Sequence, residues 1–241
     1  MEDIGDLYQK VTIETLHNDV LLAIFISCLN QFHRTDSDAW QMLAHVCQRW
    51  QHLIFAFLDY LNVRLRCSIE KLRGEMMRIW PALPIAVLGS NVNEDMDDVV
   101  VALEQRDRIC EISLDLYSGF NLDTVVSTMI VPFPGLKYLS LMAHEVPAPV
   151  FPDTFLGGSA LRLRSLRLHG IPFPALRNLL LSARSLVDLN LSGISRSRTF
   201  LPEAIVNHIS ELSRLETLSL EFRSHRSCLA PGVTPSGEAG Q

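Results

Sequence analysis

Cysteine is scarce in this sequence, and no two cysteines have a spacing that would pair them. Five cysteines are spread over the 241 residues, an odd number without a C-x-x-C pair. Disulfide frameworks and structural zinc sites both need cysteines at paired spacings. The pattern therefore argues against both and predicts reduced thiols in an intracellular protein, located in the cytoplasm or the nucleus.

Long hydrophobic runs are also missing. The clearest candidate, VLLAIFISCL, covers Val20 to Leu29 and directly follows the acidic Asp19. A membrane-spanning helix needs about 20 apolar residues, and a signal peptide begins with a basic region. We therefore expect neither a membrane partner nor a targeting segment.

The short motifs that identify common enzyme active sites are absent from the sequence. It contains no G-x-S-x-G, no G-x-x-x-x-G-K-[ST], no G-x-G-x-x-G and no H-E-x-x-H. His45 and His52 flank Cys47 without the ligand spacing of a metal site, and the other histidines are isolated. We therefore predict a protein without its own active site, cofactor or metal.

Charge is distributed unevenly along the chain. Residues 1–156 hold 11 Lys and Arg against 21 Asp and Glu, a net charge of −10, whereas residues 157–241 hold 10 against 6, a net charge of +4. Such a split occurs in proteins with an acidic or nucleic-acid partner, but more commonly reflects ordinary solvated surface. No aromatic residues are interleaved with the arginines, which argues against nucleic acid.

The apolar residues, 48% of the chain, follow a repeated L-x-x-L-x-L pattern. Neither a simple helix nor a simple alternating strand has this spacing. The first residues of five such segments are 27, 27, 23 and 29 positions apart, within the range of leucine-rich repeats. The segments are ICEISLDL (109–116), LKYLSLMA (136–143), LRSLRLHG (163–170), LVDLNLSG (186–193) and LETLSLEF (215–222).

Stacking explains why the pattern repeats. One unit cannot bury its leucines alone, but adjacent units share a continuous core behind a parallel sheet. The segments between the strands predict helices that return along the convex side. The clearest of these cover 93–106, 121–130, 173–184 and 202–214.

The first third of the chain follows a different pattern. Residues 12–29 predict an amphipathic helix with Asn18 or Asp19 as its cap, and residues 39–58 predict one or two more helices. Here L-x-x-D-V-L-L-x-I-F followed by L-A-H-V-C-Q-R-W resembles the F-box, a three-helix module. In that family, exposed apolar residues dock onto the Skp adaptor of a cullin-based ubiquitin ligase. The resemblance implies these adaptor-binding residues: Leu16, Leu21, Leu22, Ile24, Phe25, Leu43, Val46, Cys47 and Trp50.

Two features depart from the general F-box pattern. His17 stands where the family usually has proline, and the loop over 30–38 is a few residues longer. The longer loop, together with NVRLRCS (62–68) and IWPALPIAV (79–87), is similar to a subgroup abundant in mushroom-forming fungi. In that subgroup leucine-rich repeats follow the F-box.

The predicted fold is therefore α/β, with a three-helix F-box-like module followed by a short leucine-rich-repeat solenoid that has a parallel concave sheet. The predicted segments are a lead over 1–11, the helical module over 12–60, a linker and first repeat-like segment over 61–108, the repeat array over 109–222 and a disordered tail over 223–241. We predict that the final strand, over 215–222, is the least stable of the array and a site of self-association, because no capping unit follows Phe222.

The resemblance implies a non-catalytic substrate receptor that binds a Skp-type adaptor, through it a cullin, and a protein target. The alternative is a protein-binding scaffold not coupled to ubiquitination, in which the helices only cap the solenoid. In either case, alternate side chains of the repeat strands face the concave side. These predicted target-binding residues are Tyr138, Ser140, Met142, Ser165, Arg167, His169, Asp188, Asn190, Ser192, Thr217, Ser219 and Glu221.

Overall fold

The computed structural model describes residues 13–32, 39–68, 78–80, 83–89, 97–116, 122–143, 151–171, 176–194 and 209–222. Within these ranges, N-terminal helices are followed by seven strands of one parallel sheet that alternate with short helices. This confirms the predicted α/β class and is consistent with leucine-rich-like repeats. The predicted lead over 1–11 and tail over 223–241 lie outside the described residues.

The N-terminal helices are built on one amphipathic helix. Helix α1 spans Asn18–Phe32 and buries Leu21, Leu22, Phe25 and Leu29, which recur every three or four residues along one face. The helices that follow are α2 (Ala39–Ala44), α3 (Gln48–Ala56) and α4 (Leu58–Leu61).

Seven strands form the sheet in chain order, and every neighbouring pair is parallel. Because the order follows the chain, each repeat contacts mainly the repeats before and after it. The strands are β1 (Leu65–Ser68), β2 (Ile85–Gly89), β3 (Ile109–Leu116), β4 (Tyr138–Ala143), β5 (Ser165–His169), β6 (Asp188–Ile194) and β7 (Thr217–Phe222). The last five coincide with the five predicted repeat segments, which confirms them as strands.

Strands β1 and β2 were not predicted as strands. They lie within 61–108, which the sequence pattern assigned to a linker and a first repeat-like segment. β1 pairs with β2 through Leu65 and Ile85, and β2 pairs with β3, so both strands extend the sheet toward the N-terminal helices. The parallel sheet therefore begins shortly after α4.

Three of the predicted return helices are present in shorter form: α5 (Asp97–Glu104), α6 (Leu122–Thr128) and α7 (Leu176–Ser182). Asn93, the predicted cap of the first, lies outside the described residues, as does most of the helix predicted over 202–214. Residues Phe155–Gly158 form a short 3-10 turn. Within the described residues, each of these three helices covers about two turns.

Leucines of successive repeats lie side by side in the sheet register. Leu139, Leu166 and Leu189 occupy one row and are buried. Leu218 continues the same row on β7 but is 47% exposed. Among the described strands β7 has one neighbour, so its leucine is covered from one side only.

The helices and the sheet share one hydrophobic core. Its buried side chains run without a break from Leu21 in α1 to Leu212 before β7. At the junction, Trp80 contacts Trp40 of α2 and stacks on Phe55 of α3, with centroid separations of 5.7 and 5.2 Å. The N-terminal helices are therefore packed into the same structure as the repeats.

We expect the amides of β7 to exchange with solvent faster than those of β6 in the 241-residue chain. Burial of a leucine side chain contributes about 1.5–3 kcal/mol, and Leu218 leaves nearly half of its side chain in water. The opening free energy of β7 should therefore be at least about 1 kcal/mol lower than that of β6. Hydrogen-exchange mass spectrometry measures both strands in one experiment.

The control strand is β6, where Leu189 in the same row is fully buried. Equal protection of the two strands would contradict the expectation. Protection of β7 that rises with protein concentration would identify the self-association predicted for this strand.

Candidate functional site

Helix α1 separates the predicted adaptor-binding residues into an inner and an outer group. Leu21 and Phe25 are fully buried and Leu22 is nearly so. The ring of Phe25 meets the buried Trp50 of α3 edge to face, with the centroids 4.8 Å apart. These four residues stabilise the contact between α1 and α3.

The resemblance implies exposed apolar residues on the first helix, but Leu21, Leu22 and Phe25 face inward, and their part in adaptor binding stays a prediction. Leu21, Leu22, Phe25 and Trp50 do not reach the surface, because helix periodicity turns them inward together. Leu16 and Leu43 are half-buried. Of the predicted set, only Ile24, Val46 and Cys47 are exposed.

Two further exposed apolar residues of the N-terminal helices were not identified from the sequence. Val20 lies one turn before Ile24 on α1, and Met42 lies on α2 shortly before Val46; all four are at least 36% exposed. The i, i+4 spacing of Val20 and Ile24 in the sequence could have shown that both residues lie on one face of the helix. We call Val20, Ile24, Met42, Val46 and Cys47 the outer apolar set.

Arg49 holds the start of α1 against α3. Its Nη2 donates a hydrogen bond to the backbone oxygen of Leu16 at 2.5 Å and another to Oδ1 of Asn18 at 2.7 Å. Asn18, one of the two predicted capping residues, thus accepts a side-chain donor from the neighbouring helix. This link positions Leu16 and the first turn of α1.

The sheet register aligns eleven of the twelve predicted target-binding residues in three rows across the strands. We call the whole set of twelve the concave strip. The first row is Tyr138, Ser165, Asp188 and Thr217, the second is Ser140, Arg167, Asn190 and Ser219, and the third is Met142, His169 and Ser192. Glu221 follows a register irregularity between β6 and β7. All twelve are partly or fully exposed.

Polar side chains of the concave strip bond to one another between β5 and β6. Asp188 Oδ2 accepts hydrogen bonds from Ser165 Oγ at 2.8 Å and from Arg167 Nη2 at 3.0 Å. His169 Nδ1 and Ser192 Oγ are 2.9 Å apart. These bonds favour one arrangement of the side chains in the unbound protein.

Arg64 connects the N-terminal helices to the concave strip and was not identified from the sequence. Its guanidinium pairs with Glu111 of β3, and its carbon Cζ lies 5.0 Å from the ring centroid of Tyr138 on β4. Its Nε also donates to Oδ1 of Asn62, a residue with a left-handed φ of 54° directly after α4. A guanidinium placed over an aromatic ring is attracted to the ring. Arg64, which follows α4, therefore stabilises the position of the Tyr138 side chain.

Two open clefts adjoin this arrangement. One, of about 450 Å³, lies between the helices and the sheet and is lined by residues that include Leu29, Trp40 and Arg66. The other, of about 610 Å³, lies over the concave strip between Glu111 and Asp188. The second mixes an aromatic ring, a thioether, an arginine and hydroxyls, a composition suited to an extended protein segment.

One buried thiol and the distribution of potential metal ligands bear on the chemistry of the described residues. Burial raises the pKa of the Cys110 thiol, which donates a hydrogen bond to the backbone oxygen of Ile85. A buried thiol with a raised pKa is a poor nucleophile. In the described ranges, no cluster of three or more potential metal ligands occurs, and no helix has the length and apolar character to cross a membrane.

Comparisons with known proteins do not assign the chain to a family: no family model matches it, and no curated protein matches it. The functional interpretation therefore depends on the outer apolar set and the concave strip.

The inner and outer groups of α1 should respond differently to truncation. We expect Phe25→Ala to lower the free energy of unfolding by about 3–5 kcal/mol, because it opens a cavity against Trp50. Ile24→Ala should cost less than about 1 kcal/mol, since its side chain already contacts water. Urea denaturation followed by far-UV circular dichroism measures both. Equal effects of the two substitutions would contradict the assignment of the faces.

Proposed function

We propose that this protein is a non-catalytic substrate-receptor subunit of a Skp–cullin–F-box ubiquitin ligase. In this proposal the N-terminal helices are an F-box-like module that binds a Skp-type adaptor and, through it, a cullin. The strands and return helices are a leucine-rich-repeat solenoid that binds a protein target. The main support is the presence of two distinct solvent-facing surfaces on one core, the outer apolar set and the concave strip.

The outer apolar set supports the adaptor part of the proposal. Val20 on α1, Met42 on α2 and Val46 in the turn before α3 are each close to half exposed or more, although the N-terminal helices bury many of their other apolar residues. Several large apolar side chains exposed on one small module are candidates for a protein contact. The F-box resemblance covers the same helices.

The concave strip supports the target part of the proposal. Its side chains come from four consecutive strands, and the hydrogen bonds around Asp188 order several of them in advance. A surface ordered before binding loses less conformational entropy when the complex forms.

A repeat-protein scaffold that is not coupled to ubiquitination is the second candidate. In that case the helices act as the cap of the solenoid. The continuous core and the contacts of Arg64 favour it, because they give the helices a structural role that needs no adaptor. Adaptor binding distinguishes the two candidates.

We expect Ile24→Asp with Val46→Asp to weaken binding of a purified Skp-type adaptor at least about tenfold. Both side chains are exposed, so the far-UV circular dichroism should stay native. Isothermal titration calorimetry with the full chain measures the affinity.

The matched control is Leu161→Asp with Leu181→Asp, which makes the same change at exposed leucines of the repeat array. It should bind the adaptor as the unmodified chain does. Absence of adaptor binding by the unmodified chain would contradict the ligase proposal and favour the scaffold.

We expect Tyr138→Ala with Met142→Ala to remove the target from affinity-purified complexes while the adaptor is retained. Both residues face the concave side of β4, and aromatic and methionine side chains contribute strongly at interfaces. Quantitative mass spectrometry compares the proteins bound to each variant.

The control here is Val101→Ala with Leu181→Ala, two exposed apolar residues on the return helices α5 and α7. Loss of the same partner in this control, or its retention by the β4 variant, would place target binding away from the concave strip.

A further inference from the structure

Basic side chains gather where the chain enters successive strands. The backbone N–H of Arg164 donates to the oxygen of Lys137, that of Val187 to Arg164 and that of Glu216 to Val187, at 2.8–2.9 Å. These four residues therefore continue the sheet by one position at its N-terminal edge, about 4.8 Å apart. Arg162 and Arg214 lie in the turns that lead into β5 and β7.

These residues line an open cleft of about 590 Å³ at the edge of the sheet. Its charged lining is Lys137, Arg162, Arg164 and Arg214 against Asp59 and Glu216, four basic and two acidic groups. We call this cleft the basic edge. Its three arginines come from residues 157–241, which carry the positive net charge, whereas Asp59 and Lys137 come from the acidic part of the chain.

One carboxylate already occupies part of the basic edge. Lys137 Nζ bonds to Oδ1 of Asp59, at the start of α4, at 2.7 Å, although the Asp59 side chain is 81% exposed. The hydrogen bond from Lys137 lowers the pKa of Asp59, and the charges of Arg162 and Arg164 lower it further. The basic edge therefore provides a positive potential that favours an ionised carboxylate.

Besides the Lys137–Asp59 ion pair, the basic edge contains three arginine side chains. Within the described part of the chain, no carboxylate lies at ion-pair distance from Arg162, Arg164 or Arg214. Arg164 and Val187 line both the basic edge and the cleft over the concave strip. An extended ligand can thus contact both surfaces without leaving the sheet.

We propose that the basic edge binds an acidic segment of a partner protein, with carboxylate or phosphate side chains contacting Arg162, Arg164 and Arg214. The inference deepens the proposed function, since it names the chemistry of the target segment, and it rests on that function for the identity of the partner as a target. Arginine suits such contacts because its planar donors pair with carboxylate and phosphate in a bidentate manner. The residues that line the basic edge include no aromatic side chain for stacking a base, which favours a peptide over single-stranded nucleic acid.

Fluorescence anisotropy with a labelled decaglutamate peptide and the full 241-residue chain tests the proposal. We expect saturable binding that weakens as salt rises from about 0.05 to about 0.3 M. Arg162→Glu with Arg164→Glu should reduce the affinity at least about tenfold. If this variant does not fold, Arg162→Gln with Arg164→Gln should still reduce the affinity at least about threefold.

The matched control is Arg78→Glu with Arg106→Glu, which changes the net charge equally at exposed residues outside the basic edge. It should change the affinity less than about twofold. No binding by the unmodified chain, or an equal loss in the control, would overturn the proposal.

Two further probes identify the source of the negative charge. Tighter binding of a phosphoserine peptide of equal charge supports phosphate, and tighter binding of the glutamate peptide supports carboxylate. Tighter binding of an RNA decamer than of either peptide would overturn the protein-segment assignment. Adaptor affinity is measured separately, so failure of the ligase proposal and failure of this one are distinguishable.

Discussion

Register-matched leucine stacking is the constraint on which the rest of the structure depends. A leucine such as Leu166 lies between Leu139 and Leu189 of the same row, and all three are buried. The alternation of side chains along a strand then sends the intervening polar residues to the opposite face, also in rows. The same strand register therefore aligns the buried leucines on one face of the sheet and the concave strip on the other.

The five strands from β3 to β7 could be predicted from the sequence because their leucine spacing is regular. β1 and β2 were missed because LRCS and IAVLG lack the full L-x-x-L-x-L spacing. For α1 the amphipathic pattern was evident, but which apolar side chains face outward depends on contacts such as that of Phe25 with Trp50. The pairing of Arg64 with Glu111, 47 residues apart, crosses a strand and has no signal in local sequence.

The opposite net charges of the two halves of the chain meet within the fold. Asp59 comes from the acidic half and bonds to Lys137 at the sheet edge, where the charges of Arg162 and Arg164 from the basic half also lower its pKa. The attraction between the two halves therefore adds to the Asp59–Lys137 ion pair, whose two residues both lie in the acidic half. Because the basic half retains more cations than this contact uses, positive potential persists on the solvent side of the edge.

The contacts of Arg64 and the even spacing of the strands together relate each position on the sheet to the N-terminal helices. The Arg64 side chain contacts Asn62 directly after α4, Glu111 on β3 and Tyr138 on β4, and so links the end of the helices to the strands. Along the array, each strand adds about 4.8 Å. A partner seated over β6 therefore lies about 10 Å farther from the helices than one seated over β4. In a ligase, that step would decide which lysines of a bound protein come within reach of the transferred ubiquitin.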